Sequence, residues 1–177
     1  MGSVENLINE KMIDKRVEEI ADELYSIYGD KEVVFVSILK GSVFFTCDLL
    51  KRYKGDARLE FLRVSSYQGT ESTGEINLSI KVEEDKIKGK DVIIVEDIID
   101  TGYTLNYLKE YISNMQPKSL KICALLDKKE RREVDIDADY VGFSIDDLFV
   151  VGYGLDYDQK YRNLPYIGVY KKTKKLN

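Results

Sequence analysis

Three short runs of almost unbroken apolar residues constrain this chain more than anything else in it: EVVFVSIL at 32–39, DVIIV at 91–95 and SLKICALL at 119–126. Each is too short for a buried helix. None alternates apolar with polar residues as a strand with one wet face does, so the pattern is that of strands covered on both faces, the condition of a parallel sheet. Between them lie stretches of helical period. Ile13, Val17, Ile20, Leu24 and Ile27 recur at three-four spacing with Gly29 placed to stop a helix, residues 43–53 read as a second helix, and Leu105, Leu108 and Ile112 mark a third over 104–115, closed by Pro117. Residues 58–64 and 76–82 suit strands, as do 139–143, 149–153 and 166–170, which are rich in Val, Ile, Tyr and Phe. Residues 65–75, SSYQGTESTGE, carry two glycines and no packing pattern and read as a mobile loop. Strands alternating with helices imply an α/β fold with a largely parallel sheet, and ligands in such folds bind beyond the carboxyl ends of the strands. Nothing divides the 177 residues, so a single domain over 1–177 is expected.

Composition narrows the chemistry. There is no histidine, which excludes Ser-His-Asp and Cys-His catalysis and any histidine-ligated metal; acid-base work falls to carboxylates, lysine or tyrosine. Against 27 Lys and Arg stand 32 Asp and Glu, a net charge of −5, which argues against indiscriminate adhesion to nucleic acid or an anionic membrane. The terminal KKTKK reads as a solvated, frayed tail. Cys47 and Cys123, far apart and in apolar contexts, read as two reduced core thiols. No apolar run approaches the roughly 18–20 residues of a membrane span, and the amino terminus lacks the apolar core of a signal peptide, so a cytoplasmic protein is expected.

Directly after DVIIV comes EDIIDTGYT, residues 96–104, and then the third helix. A loop from a strand end to a helix start points backbone N–H groups outward. Gly102 lets the backbone approach a ligand closely, and Thr101 and Thr104 add hydroxyl donors, which are the requirements for holding a phosphate. The spaced glycines and lysine of a Walker loop are missing, as is GxGxxG. Glu96 and Asp97 stand just before this anion site, where their repulsion of a phosphate must be relieved. Ribose hydroxyls and a divalent cation would relieve it, since carboxylates accept hydrogen bonds from a vicinal diol and hard oxygen ligands bind Mg²⁺.

At VIIVEDIIDTGYT, residues 92–104, the chain resembles the type I phosphoribosyltransferases, and Asp100 narrows the resemblance to the hypoxanthine-guanine branch. It continues in SILKGSVFF (37–45), SSYQGTESTGEI (65–76), LLDK (125–128) and FVVGYGLDYDQKYRNLP (149–165). What it implies is a central, mostly parallel sheet flanked by helices, with a small hood built from the termini. It implies transfer of 5-phosphoribosyl from 5-phosphoribosyl 1-pyrophosphate to N9 of a 6-oxopurine, hypoxanthine and guanine being the expected bases, with Mg²⁺ as cofactor. The 5-phosphate and ribose would fall to Glu96, Asp97, Asp100, Thr101, Gly102, Tyr103 and Thr104. Tyr103 stands where some relatives place Lys, and contributes its backbone N–H. Asp100 would be the general base at purine N7. Lys40, Gly41 and Ser42, with Arg162, would hold pyrophosphate, with a cis peptide between Leu39 and Lys40. Lys128 would donate to purine O6, Phe149 would stack on the ring, and Val150 and Asp156 would complete the purine contacts. Phe149 taken alone reads as core, as an aromatic in a strand usually packs inward. Glu96, Asp97 and Asp156 would serve the metal, Ser66 and Tyr67 would close over the reacting centre, and a homodimer or homotetramer is implied. The alternative is a phosphoribosyltransferase-like, nucleotide-sensing regulator that binds nucleic acid; the acidic total and Asp100 count against it.

Overall fold

In the computed structural model, which describes residues 2–65 and 77–172, the apolar runs become neighbouring strands. β2 (Val33–Leu39) pairs in parallel with β3 (Ala57–Ser65) on one side and β5 (Asp91–Ile99) on the other, and β5 pairs in parallel with β6 (Ser119–Asp127). With β4 (Asn77–Ile80), antiparallel to β3, and β7 (Tyr140–Ser144), parallel to β6, the order is β4-β3-β2-β5-β6-β7. Ser66, Tyr67 and the rest of the loop expected over 66–75 lie outside the described residues.

Both faces of the sheet are covered, as the continuous apolarity requires. Val33 and Phe35 of β2, with Ile93, Val95 and Cys123, pack against α1 (Glu10–Tyr28) through Ile13, Val17, Ile20 and Leu24, and against α2 (Val43–Arg52) through Phe45 and Leu49. Val34 and Val36, with Ile94 and Ile122, meet α4 (Tyr103–Ser113) through Leu105, Leu108 and Ile112 on the other face. Each such fully buried side chain contributes about 1.5–3 kcal/mol. α1 is bounded as its sequence predicts: the Asn9 side chain accepts the Met12 N–H at 3.0 Å, and Gly29 at φ 56° ends it. A short α3 (Glu84–Ile87) precedes β5.

The hood is a separate three-stranded antiparallel sheet, β1-β9-β8, joining β1 (Ser3–Ile8) to β9 (Ile167–Lys171) and β8 (Val150–Val151). Three expectations are corrected. The central strand does not end at Val95 but runs to Ile99, because β6 continues to pair with it from Glu96 opposite Ala124 to Ile99 opposite Asp127. Cys47 is exposed rather than core, since α2 turns Phe45, Thr46 and Leu49 inward and Cys47 away; Cys123 is buried. Phe149, just before β8, is 53% exposed and so is not core. Among the described residues, no helix is long and apolar enough to cross a membrane.

Candidate active site

The acids that the sequence singles out lie where β5 loses its regular alternation. Val95 packs in the core beside α1, whereas Ile99, four residues on and of the same parity, packs in the core beside α4. Between them the main chain is held by its own carboxylates: Glu96 Oε1 accepts the Asp97 N–H at 3.0 Å and Asp97 Oδ1 accepts the Ile98 N–H at 2.7 Å. Glu96 is only 7% exposed. Burial, reinforced by the negative charge of Asp97, holds the Glu96 carboxyl well above the usual carboxylate range. Burial also raises Asp97, opposed by hydrogen bonds from Glu96 and the Ile98 N–H and by the positive charge of Arg162. Two adjacent carboxylates, one buried and one half-buried, are unfavourable unless hydroxyl donors or a cation meet them.

Past Ile99 the chain turns into α4, and residues 128–136 brace that turn from outside. Arg132 Nη1 donates to the Asp100 carbonyl at 2.9 Å and its Nη2 pairs with the buried Asp127 carboxylate. The Glu133 N–H donates to the Thr101 carbonyl at 3.0 Å. Gly102 sits at φ 92°, and a Cβ there would lie 2.7 Å from Ile136 Cγ2. α4 starts at Tyr103 with no side-chain cap, unlike α1, so its first-turn N–H groups are left to an external acceptor. A cavity of about 100 Å³ at this point is lined by Glu96, Ile98, Asp100, Thr101, Gly102 and Thr104, among others. The Tyr103 side chain is exposed. The Asp100 carboxylate accepts from Arg131 Nε at 3.0 Å and lies 3.9 Å from Lys128 Nζ.

Two further segments close on Asp97. The Leu39–Lys40 peptide is cis, and Gly41 is pressed so near the acid that a Cβ would lie 1.5 Å from Asp97 Oδ2. α2 begins at once, its N-cap Ser42 making no side-chain cap bond. On the other side of Gly41, a Cβ on Gly154 would lie 2.0 Å from the Gly41 carbonyl. The 152–162 segment carries Arg162, whose Nη1 donates to the Gly154 carbonyl at 2.6 Å and whose Nη2 pairs with Asp156 Oδ1 at 2.8 Å. Gln159 Oε1 accepts from both Lys40 Nζ, at 3.1 Å, and Arg162 Nη2, at 3.3 Å. Arg162 Nε is buried with no partner among the described residues, an unfilled donor within the basic pair.

The residues assigned to a purine divide. Lys128 is buried, with Nζ 3.5 Å from Asp147 Oδ1 and its N–H donating to the Ile99 carbonyl at 3.0 Å. Phe149 presents an exposed ring, edge-on to Tyr157 at 5.7 Å and to Tyr170 at 6.1 Å. Val150 is buried in β8 opposite Val169. Asp156 instead lies with Arg162 and Gln159, accepting the Gln159 N–H at 2.8 Å. Sequence reasoning missed Gln159, Arg131, Arg132 and Asp147, ordinary surface charges and amides whose partners are fixed only by the fold.

The donor set fits a hard cation at one position. Among the described residues no three His, Cys, Asp or Glu side chains converge to hold a metal. Glu96 and Asp97 offer the one or two carboxylates that Mg²⁺ takes when water and substrate oxygens fill the rest of its shell. Asp156 fits less simply, since both its oxygens are engaged.

A strand-to-helix turn with paired acids before it, Glu96 buried and Asp97 half-buried, and an uncapped helix after it, faced by a lysine-glycine turn, is the site of a protein of the phosphoribosyltransferase class. The chain belongs to that family: residues 3–158 match the family model described as the phosphoribosyl transferase domain. Its relatives include hypoxanthine and hypoxanthine-guanine phosphoribosyltransferases. It is 48% identical to the hypoxanthine-guanine phosphoribosyltransferase of Bacillus subtilis over 93% of this chain and 92% of that one. It is 46% identical to the hypoxanthine phosphoribosyltransferase of Salmonella typhimurium over 94% of each. A crystal structure of the hypoxanthine-guanine phosphoribosyltransferase of Bacillus anthracis superposes with a TM-score of 0.88 at 42% identity, covering 96% of this chain and 99% of that one.

Proposed function

We propose that this chain acts in purine salvage, transferring 5-phosphoribosyl from 5-phosphoribosyl 1-pyrophosphate to N9 of hypoxanthine, and of guanine, to give IMP or GMP and pyrophosphate. The observation that carries this reading is that buried Glu96 and half-buried Asp97, at the end of β5, stand beside the uncapped start of α4, a grip for a diol and a phosphate on the same sugar. The first-turn N–H groups of α4, including that of Tyr103, with Thr101 and Thr104, bind the 5-phosphate. Glu96 and Asp97 accept hydrogen bonds from the ribose hydroxyls. Lys40, the Gly41 main chain and Arg162 take up negative charge on the pyrophosphate as its bond to C1 breaks. Phe149 stacks on the purine, and Val150 offers main-chain groups to its edge.

Lys128 selects for an oxo group at C6, because an amino group there would set donor against donor and leave a buried polar atom unpaired, at about 1–3 kcal/mol. Asp100 accepts the proton that the purine loses at N7 while N9 bonds to C1; in a chain without histidine a carboxylate is the available base. Glu96 and Asp97 would hold Mg²⁺ near the ribose, and Asp156 would hold one near the pyrophosphate on release from Arg162 and the Gln159 N–H; the ion would supply positive charge to the leaving group. The cytoplasm is the proposed compartment, and a homodimer or homotetramer the proposed assembly. The full-length protein with Mg²⁺, 5-phosphoribosyl 1-pyrophosphate and each of hypoxanthine, guanine and xanthine should form nucleotide with the first two; no product with any base would overturn the reading.

A further inference from the structure

Behind the lysine-glycine turn lies a cluster of three buried hydroxyls, of which Ser42 belongs to the pyrophosphate turn while Ser37 and Thr46 have no part in the proposed reaction. Ser37, in an otherwise apolar strand, is fully buried, as are Ser42 and Thr46 on the start of α2. Ser37 Oγ lies 2.8 Å from both Ser42 Oγ and Thr46 Oγ1. Ser42 Oγ donates to the Ile38 carbonyl at 2.7 Å, and Thr46 Oγ1 to the Ser42 carbonyl at 2.8 Å. Those carbonyls flank residues 39–41. The main-chain bond that should close this turn, Ser42 N–H to the Ile38 carbonyl, is long at 3.4 Å, so the hydroxyl does most of the closing. Two of the three hydroxyl protons go to the Ile38 and Ser42 carbonyls and that of Ser37 is shared between Ser42 Oγ and Thr46 Oγ1, so none is left for a ligand. A buried hydroxyl is retained at a cost unless it is bonded, and these three bond only to one another and to the turn.

We propose that Ser37 and Thr46 are positioning residues: they fix residues 39–41 so that Lys40 and the Gly41 main chain meet the pyrophosphate, while touching no substrate themselves. This rests on the function proposed above. The test compares the full-length wild type with Ser37→Ala, Thr46→Val and Thr46→Ser in steady-state kinetics against each substrate, with calorimetric titration of inorganic pyrophosphate plus Mg²⁺. Ser37→Ala and Thr46→Val should each raise KM for 5-phosphoribosyl 1-pyrophosphate, and weaken pyrophosphate binding, by about fivefold, the worth of one net hydrogen bond. KM for hypoxanthine should stay where it is, and Thr46→Ser should restore wild-type values. Equal damage to both KM values, no change in either, or no rescue by Thr46→Ser would overturn the proposal in favour of a purely structural role. So would variants that fail to fold while Thr46→Ser also fails. An inactive wild type would instead remove the functional reading, and this proposal with it.

Discussion

Asp100 illustrates what a single side chain can decide. It is partly exposed and accepts from Arg131 Nε at 3.0 Å, with Lys128 Nζ 3.9 Å away. If it accepts the purine proton, Asp100→Asn removes the acceptor and keeps the shape: turnover should fall about 10²-fold while binding of 5-phosphoribosyl 1-pyrophosphate persists. Pre-steady-state turnover with a parallel binding titration checks this, and an undiminished rate would exclude Asp100 as the base. Lys128 makes a different prediction. Its ammonium is buried between Asp147 and Asp100, and a hydrogen bond to a charged group is worth about 1.5–3 kcal/mol. Lys128→Gln should therefore raise KM for hypoxanthine about 10- to 100-fold with little effect on the other substrate. Equal losses for both substrates would place Lys128 outside the base pocket.

Among the elements, the turn from β5 into α4 is the one whose geometry is least forgiving. At φ 92° a Cβ on Gly102 is strained whatever the space, and the space is filled by Ile136 and Val134, 2.7 and 2.9 Å away. Gly102→Ala should cost about 1–3 kcal/mol in backbone strain, a drop of roughly 2–10 °C in unfolding temperature for a chain of this size, with weaker nucleotide binding alongside. A melt indistinguishable from wild type would mean that residues 128–136 do not brace this turn. Much of this element was legible in the sequence: a β-branched run, paired acids, Gly102 and a helical period carry their meaning locally. What was not legible depends on distant partners. β5 continues to Ile99 only because β6 runs alongside it, and SVENLI becomes β1 only because β9, from the other end of the chain, pairs with it. Gln159 joins Lys40 across 119 positions, a contact that no window of sequence contains. Cys47 was misplaced because Phe44, Phe45, Leu49 and Leu50 lie close to it in sequence, and only the packing of α2, which buries Phe45, Thr46 and Leu49, decides which face is dry.

The whole molecule separates function from stability between the two ends of its sheet. Glu96 and Asp97, at the ligand end, are raised by burial, whereas Glu32 and Asp91, at the opposite end where β2 and β5 begin, are lowered by partners. Glu32 accepts from Lys90 Nζ at 2.7 Å and Arg58 Nε at 2.6 Å, and these bonds hold it below its ordinary value of 4.5. Asp91 is raised by burial but more than offset by bonds from Ser119 and Lys118, and lies below its ordinary 3.8. A carboxyl whose pKa is lower folded than unfolded adds stability above the unfolded value and loses it as pH falls through the folded one. Both residues tie neighbouring strands: Glu32 links β2 to residues of β3 and the β5 turn, and Asp91 links β5 to β6 through Ser119. Acid should therefore loosen the end of the sheet remote from the ligand. In urea melts from pH 7 to pH 2, wild type should lose stability below pH 4.5, and Glu32→Gln should be less stable than wild type at pH 7 and converge with it at the acid end. The gap should shrink in high salt, because these ion pairs face solvent. A constant difference between the two proteins across the whole pH range would show that Glu32 acts through its size and not its charge.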